Sequence, residues 1–273
     1  MRIAFSKIHG IGNDFIVIDE QAKELVPEKN KAAFAKKFCN RRFSIGADGV
    51  LFMVSSKKAD FRMRLFNADG SEAENCVNGL RCVALEKFLL EGKKKKDFLI
   101  ETIAGLVNAK VVSFQGRENK AEVEIQVLGK AEAGAKAVIS VEGKSFEFWP
   151  VDVGNPHAVI FLKEKVEGFP VERFGHAMEF SEKFAPKRVN AEFVNVLSPS
   201  NVKMRVHERG ACETQACGSG SIAIVLAGIS EGVLEKGKWV SVEQPGGTLQ
   251  IKVDKGVLLK GSAEKVFEGS LEA

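Results

Sequence analysis

The chain repeats itself. "GIGNDFIVID" from Gly10 and "VGNPHAVIFL" from Val153 each place a Gly-Asn pair ahead of an alternating, β-branched stretch that reads as a strand. Asn13 and Asn155 lie 142 residues apart (155 − 13), Asp48 and Asn190 again 142 (190 − 48), and Cys76 and Cys217 141 (217 − 76). Three correspondences at one offset constrain the 273 residues to two copies of a single α/β unit. Each copy carries a Gly-Asn strand start, a middle strand and a cysteine that opens an apolar helix.

Helices are expected at about 28–40, 77–91, 171–180 and 218–232, with strands filling most of the rest. Strands and helices are grouped rather than regularly alternating, so the fold class is α+β, with a cleft expected between two homologous, pseudo-symmetric halves.

Composition narrows the function classes. A formal charge of +4 is too small to mark a nucleic-acid binder. The one basic cluster, Lys93–Lys96, has no interleaved aromatic residues on which bases would stack, and it reads as a solvated turn. No apolar run approaches the roughly 18 residues that span a bilayer, and "MRIAFSKIHGIGNDF" lacks the pattern of a signal peptide. The expected location is therefore cytoplasmic, with no membrane and no nucleic-acid partner. Five cysteines in such a compartment should stay reduced. Their spacings, Cys76 to Cys82 and Cys212 to Cys217, match no structural zinc pattern, and no metal is expected. "GIGND" lacks the third glycine of a dinucleotide loop and leads into a strand rather than a helix.

Chemistry concentrates at the two helix starts. Cys76 precedes Val77, Asn78 and Gly79; Cys217 precedes Gly218, Ser219 and Gly220. A helix N-terminus exposes unpaired N–H groups and partial positive charge, which lowers a thiol's pKa and also binds anions. Each copy thus offers an acidified thiol beside a place for a carboxylate. Two such thiols facing one carbon would remove a proton from one side and return it from the other. Buried cysteines are common in protein cores, and that reading stands for either thiol taken alone. A cysteine hydrolase with His157 as base would leave the second thiol and the repeat unexplained. A binding protein would leave both without a role.

At these residues the chain resembles the diaminopimelate epimerase family. The similarity is carried by "FSKIHGIGNDFIVID", "FNADGSEAENCVNGLRC", "GNPHAV" and "ERGACETQACGSG", and continues through "PGGTLQIKV" and "GSAEKVFEG". The resemblance implies two domains, each wrapping strands around a central helix, with the active site in the cleft between them. Their boundaries are expected at 1–116 and 117–261, with 262–273 returning to the first. It implies interconversion of LL- and meso-2,6-diaminopimelate for lysine and peptidoglycan synthesis, without pyridoxal phosphate or any other cofactor. Cys76 and Cys217 fall on the family's catalytic cysteines, and His157 and Glu208 on residues that tune them, one near each thiol. Asn13, Asn67, Asn155 and Asn190 match asparagines that hold the substrate, and Arg209 the arginine that pairs with its distal carboxylate. Backbone N–H groups of Asn78, Gly218 and Ser219 would hold the reacting carboxylate. A homodimer is implied by resemblance alone. The alternative within the same chemistry is a broader racemase acting on lysine or another basic amino acid.

Bland readings accompany several of these positions. Glu208–Arg209 also reads as a surface ion pair, Asp48 and Asp69 as turn residues, Arg81 as structural, and His176 as surface or core. Three positions depart from the family pattern: Val77 and Cys212 stand where glycine is usual, and His207 where an aromatic or apolar residue is more common. They leave the substrate range open.

Overall fold

A computed structural model of the chain describes residues 2–74, 76–127 and 131–272. Contacts divide it into two compact units, Met1–Leu128 with Lys260–Ala273, and Gly129–Leu259.

The first unit runs β1 (Arg2–Gly10), β2 (Asn13–Glu20), α1 (Lys31–Phe38), β3 (Gly49–Val54), β4 (Phe61–Asn67), β5 (Glu72–Ala73), α2 (Val77–Leu90), β6 (Asp97–Thr102), β7 (Gly105–Gln115) and β8 (Lys120–Val127). β1–β2, β3–β4, β6–β7 and β7–β8 are antiparallel; β2–β3 and β4–β6, each joined through a helix, are parallel. A parallel pair needs such a crossover. Helix α2, "VNGLRCVALEKFLL", is apolar nearly all round and accordingly buried, packed on β1, β2, β3, β4, β7 and β8. Helix α1 lies on the opposite face of the sheet and buries Phe34, Ala35 and Phe38 in a second core with Ile16, Ile18 and Phe52. Strand β3, "GVLFMV", is therefore covered on both faces and reads as a continuous apolar run.

The second unit repeats this order. It contains β9 (Glu132–Ala133), β10 (Ala137–Val141), β11 (Lys144–Asp152), β12 (Pro156–Phe161), α3 (Val171–Glu179), β13 (Asn190–Ser198), β14 (Asn201–Glu208), β15 (Cys212–Thr214), α4 (Gly218–Glu231), β16 (Trp239–Gln244) and β17 (Gly247–Val253). β11–β12, β13–β14, β14–β15 and β16–β17 are antiparallel, while β12–β13 and β14–β16 are parallel. Even the register is shared. Leu65 faces Ala73 in β4–β5 and Val206 faces Thr214 in β14–β15, both at the 141-residue offset (206 − 65 and 214 − 73). Helix α4 takes the central position, packed on β9, β11, β12, β13 and β17, and ends at Gly232, whose φ of 80° caps it. Helix α3 takes the place of α1, burying Val171, Phe174, Gly175 and Met178 at i, i+3, i+4 and i+7.

The last strand, β18 (Val257–Glu272), pairs with β1 from Arg2↔Glu272 to His9↔Glu264 and also with β8. The strands of the first unit thereby close on themselves around α2, the arrangement that removes free edges. The division at Leu128 corrects the boundary expected after 116. β8, assigned from sequence to the second half, pairs with β7 and packs on α2. The first helix also begins later than expected: Pro27 leads into a 3₁₀ turn over Glu28–Asn30, and α1 starts at Lys31.

Candidate active site

Both cysteines are the N-caps of the central helices. Cys76, at φ −153° and ψ 112°, is extended, and its Sγ accepts the Gly79 N–H at 3.4 Å. Cys217, at φ −123° and ψ 112°, accepts the Gly220 N–H at 3.3 Å. A thiol is thus held at the positive end of each helix, within reach of N–H groups that the helix leaves unpaired. All five cysteines are thiols, with no disulfide among the described residues.

Around Cys76 the network is built from amides and a buried cation. Its Sγ lies 3.9 Å from Asn13 Oδ1, which also accepts from Asn78 Nδ2 at 3.1 Å. Asn78 Oδ1 in turn accepts from Arg81 Nη2 at 2.9 Å. Arg81 is fully buried, and its other bonds go to the carbonyls of Val77 and Ser262. Burial pulls the guanidinium down from its ordinary range, and Cys76 is among the groups whose negative charge offsets that shift. Arginine stays protonated throughout the working range, so a full positive charge sits under this helix start. Asn13 Nδ2 donates to Asp48 at 2.7 Å, and the same carboxylate accepts the Asp14 N–H at 3.1 Å. Asp48 therefore does more than form a turn: it fixes the Asn13 amide so that its oxygen faces the thiol. Asp69 is a turn residue, accepting from Ser71 N at 2.8 Å. Asn67 donates to Ser71 Oγ at 3.0 Å.

Around Cys217 the network is built from an amide, a hydroxyl and the buried Glu192–His157 pair. Cys217 is 3% exposed, and its N–H donates to Gln244 Oε1 at 2.8 Å. Its Sγ is 3.4 Å from Ser219 Oγ. Burial raises this thiol well above its ordinary pKa of 9.0, and Glu208 and Glu192 raise it further, against the hydrogen bonds from Ser219 and Gly220. Glu192 is fully buried, and its carboxyl is itself raised by burial, a shift His157 only partly opposes. Glu192 Oε1 meets His157 Nδ1 at 2.6 Å, and His157 Nε2 meets Asn155 Oδ1 at 3.0 Å. A Cβ on Gly220 would stand 2.8 Å from Glu192 Oε1 and 3.2 Å from Cys217 Sγ, so only glycine lets the helix start approach both. Glu208 accepts from Thr214 Oγ1.

Asn190 and Arg209 are held by bonds of their own within the second unit. Asn190 Oδ1 accepts the Arg209 N–H at 2.9 Å while its Nδ2 donates to the Pro156 carbonyl at 3.0 Å. The Arg209 side chain is exposed and donates to the Lys187 carbonyl at 2.8 Å. Gly218 and Ser219 form the first turn of α4. Within the second unit, the bonds of His157 run to Asn155 and Glu192, and the carboxylates that act on Cys217 are Glu208 and Glu192.

The departures from the family pattern also find places. Val77 is half-buried against the α2 core, where the first residue of a helix tolerates a β-branched side chain. Cys212 is exposed at φ 61°, and its thiol bonds to Glu172 rather than Cys217. His207 is fully buried and bonds to Glu179 at 2.8 Å, on the face of β14 opposite Glu208. Sequence reasoning missed Glu192, Gln244 and the role of Asp48. Glu192 carried one signal, a charge at a core position of the strand "NAEFVNV".

Fold and site define a duplicated α+β protein in which each unit caps its central helix with a thiol. A hydroxyproline epimerase from Agrobacterium vitis has this fold, with a TM-score of 0.71 at 16% identity over 99% of this chain and 92% of that one. The diaminopimelate epimerase family matches over residues 5–128 and 150–266. A diaminopimelate epimerase of Carboxydothermus hydrogenoformans is 42% identical over 97% of this chain and 98% of its own length. One of Methanothermobacter thermautotrophicus is 40% identical over 98% of each. The chain belongs to the diaminopimelate epimerase family, which makes it an isomerase of the racemase and epimerase class.

Proposed function

We propose that the chain interconverts LL- and meso-2,6-diaminopimelate by two-base proton transfer at one α-carbon. The observation that supports this most is the matched pair of thiol caps, one at the start of each central helix. In the proposed reaction one thiolate takes the α-proton and the other thiol supplies its replacement from the opposite face, the roles reversing for the other stereoisomer. Backbone N–H groups of Asn78, Gly218 and Ser219 hold the α-carboxylate, and the helix ends stabilise charge as it develops there. Asn13, Asn67, Asn155 and Asn190 orient the amino acid, and Arg209 pairs with the distal carboxylate by a charge-assisted bond. His157 and Glu208 set the charge around the thiols.

The test uses reduced protein in D2O with LL-diaminopimelate and, separately, L-lysine. Deuterium at one α-carbon of diaminopimelate, with meso product, is the expected result. Exchange with lysine alone would keep the mechanism and replace the substrate. No exchange with either would remove the two-thiol reading.

A further inference from the structure

We propose that His176, Glu179 and His207 form a binding site for a divalent cation of the zinc class, at the contact between α3 and β14. Each offers one ligating atom, and these atoms all lie within 4.8 Å of one another. His176 and Glu179 share a face of α3 at i and i+3. Glu179 Oε2 stands 2.8 Å from His207 Nε2, and its Oε1 is held by the Gly210 N–H at 3.0 Å and by Arg188 at 3.3 Å. One oxygen is therefore oriented by the protein and the other faces the histidines.

The buried histidine is the decisive member. His207 is fully buried, yet its Nδ1 has no hydrogen-bond partner. That nitrogen faces Glu172 Oε2 at 3.5 Å. A histidine that ligates a metal through one nitrogen characteristically gives its other N–H to a carboxylate, which fixes the tautomer and strengthens the ligand. With Nε2 on a cation, Nδ1 must carry the proton, and Glu172 is placed to receive it. Glycine makes room for this ring. A Cβ on Gly175 would come within 2.2 Å of His207 Cβ and 2.5 Å of its Cγ. Two imidazoles and one carboxylate match zinc in donor type and leave a fourth position for water. Drawing three atoms from a 4.8 Å spread onto bonds of about 2.0–2.2 Å falls to His176, the exposed member. The donors come from a helix and a distant strand, so cysteine spacing gave no hint of them.

Cobalt(II) is the probe, titrated into the reduced full-length protein while its visible absorption is followed. One equivalent should bind with the intensity of a four-coordinate nitrogen–oxygen site. His176→Ala should weaken binding by about tenfold or more without changing the melting temperature of the metal-free protein. His207→Gln should also weaken binding, compared with its own metal-free melting temperature, and zinc should raise the melting temperature of the wild type alone. Absence of binding, binding indifferent to His176→Ala, or a thiolate-to-cobalt charge-transfer band would each overturn the site.

Discussion

The two central helices share a scaffold and differ in buried charge. Both start with a cysteine whose sulfur accepts the N–H three residues on. Within the Cys76 helix lies Arg81; its counterpart at the 141-residue offset (81 + 141) is Ile222, also fully buried. In the Cys217 unit stand His157 and Glu192; their counterparts at the 142-residue offset (157 − 142 and 192 − 142) are Phe15 and Val50. Duplication preserved the thiol-capped helix ends while their surroundings diverged, with a guanidinium in the Cys76 unit and carboxyl groups that raise the thiol in the Cys217 unit. A nearby cation favours a thiolate, and burial with nearby carboxylates favours a thiol. In the proposed reaction this asymmetry would suit Cys76 to the role of resting base and Cys217 to that of resting acid.

The comparison breaks first at the thiols themselves. Cys76→Ala and Cys217→Ala should each lower turnover by about 10²–10⁴-fold in both directions, the range for losing a positioned acid or base. α-Deuterium incorporation from D2O measures it. Near-normal exchange in either variant would mean the two helix caps are not functional equivalents.

The charges under the helices should move the pH profile rather than abolish activity. Arg81→Leu removes the cation, raises the Cys76 pKa and shifts the acid limb of kcat/KM to higher pH, lowering the rate about tenfold near neutrality. Arg81→Lys should restore part of it. Glu192→Gln removes a carboxyl whose charged form raises Cys217. The thiol then loses its proton at lower pH, and the alkaline limb moves down with a several-fold smaller loss than Arg81→Leu. The two limbs should thus approach each other. Unshifted limbs in variants with wild-type circular dichroism would separate these charges from the thiols.

The repeat and the thiol caps were legible because both are local. A Gly-rich polar turn followed by an apolar run specifies a helix start, and a fixed offset needs no structure to see. The opposed charges were not legible for the converse reason. Arg81 is a single charge in an otherwise largely apolar helix and reads there as structural, and its burial follows from the closure of β18 around α2. Glu192 sits in a strand whose inward and outward faces are decided by pairing with β12 and β14. His207 stands next to Glu208 in sequence, but strand alternation sends it to the other side, into the slot over Gly175. The division of the chain was misplaced because β8 alternates like any strand of either unit, and only its pairing with β7 assigns it.

The smallest expected difference between the units is in acid stability. Asp14, at the start of β2, bonds to Arg41 and forms an ion pair with Lys7 at 2.5 Å. Its counterpart at the 142-residue offset (14 + 142) is Pro156, which has no charge to offer. Burial pushes the Asp14 carboxyl up, but Arg41 and Lys7 outweigh it and hold the pKa at about 2, below its ordinary 3.8. A carboxylate with a depressed native pKa stabilises the fold above its unfolded pKa and loses that contribution as pH falls through the native one. The window is therefore about pH 4 down to 2. The contribution is about 1–2 kcal/mol once screening by solvent is allowed for. Asp14→Asn should lower the melting temperature at pH 7 by a few degrees and leave it unchanged at pH 2. A variant that loses as much stability at pH 2 as at pH 7 would show that Asp14 acts through hydrogen-bond geometry, not charge, and the acid sensitivity would then belong to both units alike.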